Sequence, residues 1–181
     1  MNKAFLVTGP ESSGTCYMTR LLIGSGCAGV AGGPQPFDGP EYSIAFPDGQ
    51  ELPPLLAIQR SMPHAGEWPD IADILKTLWE HEYDVTVLIM VRDGFSQEAS
   101  YQRTFRTKTH AEYMSLIAHA WVKIFAGITR GLYPPFVVVP YQSLGCPHYR
   151  KWLADALGLP PFVEPFIDGD AQYKEGETCS I

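Results

Sequence analysis

The feature that most constrains this chain is an apolar strand that runs into a glycine-bounded loop and then into an apolar helix. The strand begins at Ala4, the loop runs from Gly9 to Gly14, and the helix begins near Thr15. In such a unit, the backbone N–H groups of the loop and the positive end of the helix converge on one anion. The start of the chain therefore predicts an anion cradle at the end of the first strand.

The spacing of the two glycines matches a phosphate loop, but two functional positions differ. Gly9 and Gly14 are separated by four residues, as in the pattern G-x-x-x-x-G-K-[ST]. Thr15 stands where that pattern has lysine, and Cys16 stands where it has the magnesium-binding serine or threonine. Because the loop lacks both the cation and the metal ligand, the sequence argues against hydrolysis of magnesium-bound ATP or GTP.

Composition favours one soluble domain that spans residues 1–181. A hydrophobic content of 45% is enough to bury a core in a chain of this length. No apolar run approaches the roughly 18 residues of a membrane span, and no secretory signal is recognised, so we expect a cytoplasmic protein. The formal net charge of -7 argues against a nucleic-acid-binding protein, which needs a basic face. Any anion site must be built locally.

The order of apolar segments predicts an α/β fold of three layers with a mostly parallel sheet. Glycines and prolines fill a long loop over residues 28–54, which we interpret as a flap or an acceptor-side segment, and an irregular tail over 160–181. On a helix over 110–127, six apolar residues at helical spacing are expected to pack in the core: Met114, Ile117, Ala118, Trp121, Ile124 and Phe125. Further strands are predicted at 55–59, 84–91 and 135–140, the last two buried, and further helices at 70–80 and 149–157.

Polar residues follow the predicted strands at their carboxyl ends, which is where ligands bind in open α/β sheets. Arg92 comes directly after the strand over 84–91, and Ser100 lies eight positions later on a helix that Asp93 can cap. Tyr141 follows the last strand. We therefore expect these side chains and the glycine-bounded loop to share one edge of the sheet.

This joint pattern resembles the sulfotransferase family, whose members transfer a sulfuryl group from 3′-phosphoadenosine 5′-phosphosulfate (PAPS) to a hydroxyl or an amine. The resemblance implies a P-loop-type α/β/α fold. It also implies that Gly9 and the run Ser13-Gly14-Thr15, followed by Cys16, cradle the 5′-phosphate side of PAPS or of its product, 3′,5′-bisphosphoadenosine (PAP). No metal is expected in this reading.

The other two motifs are assigned by the same resemblance. Arg92 and Ser100 have the spacing of the family's 3′-phosphate ligands, with Gly94 in place of the usual proline. Tyr141 corresponds to a tyrosine near the adenine, although Gln142 and Ser143 replace the acids that usually follow it.

The catalytic positions are where the chain departs most from the family. Ser12 stands where members carry a lysine or arginine, so Arg60, in the predicted loop after the second strand, is the first candidate for the missing cation and Arg20 the second. His64 is the first candidate for the general base that takes the acceptor's proton, and Glu11 is the other.

Two alternatives stay open at this point. One is a P-loop nucleotide kinase or related phosphoryl transferase, and the other is a nucleotide-binding module without catalysis, which Ser12 favours. The acceptor is expected to be a small molecule or a glycan. The sequence does not identify it and leaves the oligomeric state open.

Overall fold

Four parallel strands form the centre of the molecule. The computed structural model describes residues 1–35, 37–105, 109–131 and 133–166. In these residues the strands are β1 (Asn2–Pro10), β2 (Leu55–Met62), β3 (Tyr83–Val91) and β4 (Phe136–Pro140). The helices are α1 (Thr15–Gly24), α2 (Ile71–Glu80), α3 (Gly94–Phe105), α4 (His110–Arg130) and α5 (Pro147–Leu157).

The sheet has the order β2-β1-β3-β4, and every neighbouring pair is parallel. Two hydrophobic cores lie on its opposite faces. Residues of α2 and α4 contribute to one core, and residues of α1 and α5 contribute to the other. The predicted three-layer α/β arrangement with a parallel sheet is confirmed.

The strand order places a topological switch point between β1 and β3. From β1 the chain moves outward to β2 on one side, and it then crosses back to β3 on the other side. The loops that leave β1 and β3 therefore diverge at the carboxyl edge of the sheet, where open α/β sheets bind ligands.

Local side-chain caps set several helix starts. Asp70 accepts a hydrogen bond from the backbone N–H of Ala72 at 2.9 Å and so begins α2. Asp93 accepts one from the N–H of Ser96 at 2.8 Å, which confirms the predicted cap of α3.

The expectation that β4 is buried was wrong, and the expectation for the core face of α4 was correct for Ile124 and wrong for Met114 and Phe125. β4 is an edge strand, and its Phe136 and Val138 are 51% and 46% exposed. On α4, Met114 and Phe125 are about half exposed. Apolar residues surround much of this helix, so their period alone does not indicate which stripe faces the sheet. The stripe that is buried comprises Tyr113, Ala120, Ile124, Gly127 and Ile128.

The segment over residues 28–54 is mostly irregular, as predicted, with a single short 3-10 turn at Pro40–Tyr42 among its described residues. Phe37 and Ile44 from this segment are buried in the core on the α2 and α4 side of the sheet. The segment is thus anchored to the sheet. The tail is described only as far as residue 166, so the expectation for 167–181 lies outside the described residues.

Candidate functional site

A cavity of about 790 Å³ lies at the carboxyl ends of β1 and β3. Its walls come from the loop after β1, the first turns of α1, and one face of α3. Arg92, Ser100 and Tyr141 all line it, together with Ser12 and the Gly14 to Cys16 stretch. The three strand-end features predicted to share one edge therefore meet at one cavity.

The loop after β1 is fixed by its own backbone hydrogen bonds. The N–H of Glu11 donates to the carbonyl of Met62 at 3.1 Å, and the N–H of Ser13 donates to the carbonyl of Pro10 at 3.1 Å. For the N–H groups of Thr15 and Cys16, in the first turn of α1, no backbone acceptor is found within the described ranges. Such first-turn donors are the ones that bind anions at a helix start.

The N-cap of α1 is Gly14, which has a left-handed backbone with φ of 99° and gives α1 no side-chain cap. Gly9 is also required, since a Cβ there would lie 2.6 Å from the carbonyl oxygen of Met90. The hydroxyl of Ser13 is buried against Gly9 and does not line the cavity. Ser13 therefore supports the loop, and the residues of the predicted cradle that line the cavity are Gly14, Thr15 and Cys16.

Arg92 is held in position from two sides. Its Nη1 donates to the carbonyl of Ser12 at 2.9 Å, and its guanidinium carbon lies 4.8 Å from the centre of the Tyr141 ring. This cation–π contact and the bond to Ser12 link the ends of β1, β3 and β4. Ser12 thus takes part in the site through its backbone carbonyl.

Several residues that line the cavity were missing from the cofactor-binding set predicted from sequence, among them Arg103, Thr104 and Arg20. Arg103 and Thr104 follow Ser100 by three and four positions, so all three lie on one face of α3. Arg20 follows Cys16 by four positions on α1 and lines the same cavity. Helical spacing was the available signal. With Arg92, these residues bring three arginines to one cavity in an acidic chain.

The position predicted for Arg60 was wrong. β2 continues to Met62, so Arg60 is part of the strand and its side chain is fully buried. Its guanidinium pairs with Asp38 at 2.5 Å and donates to the carbonyl of Tyr42 at 2.7 Å. Successive strand residues point to opposite faces, so Gln59 and Ser61 line the cavity and Arg60 does not. Burial lowers the pKa of the Arg60 guanidinium, and the charge of Asp38 opposes this effect.

His64 lies in a second cavity of about 510 Å³, which adjoins the first. Gly32, Gln59 and Ser61 line both cavities. The Nδ1 of His64 lies 3.2 Å from the hydroxyl of Ser61, and its ring packs edge-on against Tyr42. Burial first, and then the charge of Arg60, lower the pKa of His64, while Asp38 acts in the opposite direction. The lowered pKa favours the neutral imidazole, which is the form that a general base requires.

Glu11, the other predicted base, lines the larger cavity. It is almost fully buried, and its carbonyl accepts a hydrogen bond from the Gln97 side chain at 2.8 Å. Its carboxylate adds to the burial that raises the pKa of Tyr101. Both predicted bases thus lie at the cavities, Glu11 in the larger and His64 in the smaller.

A scan against protein-family models, a search of curated proteins and a search of solved structures each found no match. Within the described residues, no helix is long and apolar enough to cross a membrane. The same part of the chain contains no cluster of three His, Cys, Asp or Glu side chains placed to hold a metal ion.

Proposed function

We propose that this protein is a sulfotransferase that takes a sulfuryl group from PAPS and transfers it to a hydroxyl or an amine. One observation supports this above all: the start of α1 at Gly14 and Thr15, together with Arg92 and Ser100, lines one cavity at the switch point of a parallel sheet. Two phosphate-binding groups at separate strand ends suit a ligand with two separate phosphates. PAPS and PAP have this property.

The residues present fit such a nucleotide. The N–H groups of Gly14, Thr15 and Cys16 would hold the 5′-phosphate, since Gly14 provides no side-chain cap at the start of α1. Arg92 and Ser100 would hold the 3′-phosphate, with Arg103 nearby on α3. A volume of about 790 Å³ lies within the usual range for a site of this ligand size.

PAPS supplies the sulfuryl group: the bond from sulfur to the 5′-phosphate oxygen breaks and leaves its electron pair there, while the acceptor atom bonds to sulfur and gives its proton to a base. His64 is the base in this proposal, because its lowered pKa favours the neutral imidazole and because it lies in the smaller cavity, where an acceptor can approach. The Ser61 hydroxyl, at hydrogen-bond distance from Nδ1, orients the imidazole.

Arg20 takes the place of Arg60 as the cation in this proposal. Arg60 forms an ion pair with Asp38 and lines neither of the two adjoining cavities. Arg20, on α1, lines the larger cavity. A guanidinium there stabilises the charge that develops on the leaving phosphate. Ser12 supports Arg92 through its carbonyl and supplies no charge.

The alternative is a nucleotide-binding module without catalysis. It is favoured by the neutral side chain of Ser12 beside the cradle and by the pairing of Arg60 with Asp38. A magnesium-dependent kinase has less support. Thr15 stands where phosphate loops have lysine, and Cys16 stands where they have the magnesium-binding hydroxyl of serine or threonine.

The test is a thermal melting experiment with PAP, in the absence of magnesium. A ligand at about 100 times its dissociation constant adds about 2.7 kcal/mol, which for a chain of this size raises the melting temperature by roughly 5 to 10 °C. Arg92→Ala should remove the shift. Arg130→Ala, which removes an exposed arginine paired with Asp70, is the matched control and should retain it. No shift in the wild type at millimolar PAP overturns the proposal.

A transfer assay separates the enzyme from the module. Labelled PAPS is incubated with phenols, alcohols, amines and glycans, and sulfated products are measured. If PAP binds but no acceptor is sulfated, the non-catalytic alternative is favoured.

A further inference from the structure

The side chain of Gln59 bridges two parts of the site. Its Oε1 accepts a hydrogen bond from the backbone N–H of Gly32 at 3.0 Å, and its Nε2 donates to the hydroxyl of Thr15 at 3.4 Å. Gln59 is 6% exposed; its contact with Thr15 is buried and its contact with Gly32 is partly buried. One end of this amide thus contacts the 28–54 segment, and the other contacts the start of α1.

These contacts fix which way the amide points. A backbone N–H can only donate, so the atom facing Gly32 must be the oxygen and the atom facing Thr15 must be the nitrogen. The nitrogen carries two hydrogens, and its one long bond to Thr15 uses one of them. Gln59 therefore presents an oriented neutral donor beside the phosphate cradle.

Gln59 also lies at the junction of the two cavities. Only Gly32, Gln59 and Ser61 line both of them among the described residues. A group that passes from a nucleotide in the larger cavity to an acceptor in the smaller one must cross this junction. Of the two side chains there, Ser61 is directed to His64 and Gln59 is directed to the cradle.

We propose that Gln59 binds the non-bridging oxygens of the sulfuryl group of bound PAPS through its Nε2 hydrogens. This inference rests on the proposed function and assigns a residue for the group that is transferred. A fixed donor stabilises an anionic group without carrying a charge of its own. Gln59 thereby provides part of the stabilisation that a lysine or arginine at position 12 would provide, since this chain has Ser12 there.

The alternative is that Gln59 has a purely structural role as a latch, meaning that it only holds Gly32 against β2 through the hydrogen bond to its Oε1. Two variants separate the roles. Gln59→Glu keeps an oxygen for the Gly32 N–H and loses the donor, whereas Gln59→Leu loses both. The matched control is Gln35→Leu, because Gln35 also anchors this segment, through bonds to the carbonyls of Val30 and Gly33, and lines neither of the two joined cavities.

The measurement is the affinity for PAPS and for PAP by titration calorimetry, with no turnover required. PAP lacks the sulfuryl group, so a sulfuryl contact affects PAPS alone. We expect Gln59→Leu to lower the affinity for PAPS by about tenfold, which is the value of one hydrogen bond to a charged group. The affinity for PAP should change by no more than about twofold. Gln59→Glu should lower the affinity for PAPS further, because its carboxylate repels the anionic sulfuryl group. Gln35→Leu should leave the ratio of the two affinities unchanged.

Two results are distinguishable failures. If the wild type binds both nucleotides and the Gln59 variants weaken them equally, or not at all, Gln59 is a latch and this inference is wrong while the proposed function stands. If the wild type binds neither nucleotide, the proposed function itself fails and this inference fails with it.

Discussion

The ring of Tyr141 packs directly against Gly14, the residue that begins α1. A Cβ built on Gly14 would lie 3.1 Å from Tyr141 Cε2 and closer still to Cδ2. The same ring lies beneath the guanidinium of Arg92. Tyr141 therefore holds the cradle and the arginine in fixed relation, and the absence of a side chain at Gly14 is a condition for that packing.

Gly14→Ala should cost roughly 2 to 4 kcal/mol of unfolding free energy. About 1 to 2 kcal/mol comes from the left-handed backbone, and the rest comes from overlap with Tyr141. Gly26→Ala is the matched control, because Gly26 has φ of 98° and no atom within 4 Å of its Cβ position. Urea unfolding of both variants makes the comparison. Equal costs for the two variants would show that the Tyr141 contact contributes nothing.

Asp38→Ala should destabilise the protein by about 3 kcal/mol, because it leaves the charge of the buried Arg60 without its carboxylate. The double variant Asp38→Ala/Arg60→Met removes that charge and should recover part of the loss. Denaturant unfolding measures both. Asp155→Ala, from the exposed pair with Lys151, serves as the control and should change stability by less than about 0.5 kcal/mol. If the double variant is less stable than Asp38→Ala, the explanation through an unpaired charge is wrong.

The lowered pKa of His64 should make stability depend on pH. Burial disfavours the charged imidazole in the folded state, so the pKa of His64 is lower in the folded chain than in the unfolded chain. Below about pH 6.5 the unfolded chain therefore binds more protons at this residue than the folded chain does. Wild-type stability should fall as pH decreases below that value, and His64→Gln should flatten the decline. At about pH 7.5 the histidine is neutral in both states, so comparison there is the internal control. Parallel pH curves for wild type and variant would contradict the assignment.

The sequence predicted the elements whose signals are local. The strand, loop and helix around Gly14 and the cap at Asp93 were each found from adjacent residues. The site was predicted as far as Arg92, Ser100 and Tyr141, because the carboxyl ends of parallel strands meet at one edge.

The rest depends on contacts between distant parts of the chain. Arg60 was misplaced because nothing near it in sequence reveals that Asp38 pairs with it, 22 positions away. Gln59 was missed because its partners, Thr15 and Gly32, lie on a helix and in an irregular segment. An apolar run does not show where a strand ends. Which face of the sheet the last residues of β2 point to follows only from the register in which β2 pairs with β1.

The most direct test of the central claim is to compare the binding of PAP and of 5′-AMP by titration calorimetry without magnesium. The two ligands differ by the 3′-phosphate, which Arg92 and Ser100 are proposed to bind. We expect the wild type to bind PAP at least about tenfold more tightly than 5′-AMP, and Arg92→Ala to remove most of that difference. Equal affinities for the two nucleotides in the wild type, or no binding of PAP at millimolar concentration, would contradict the claim.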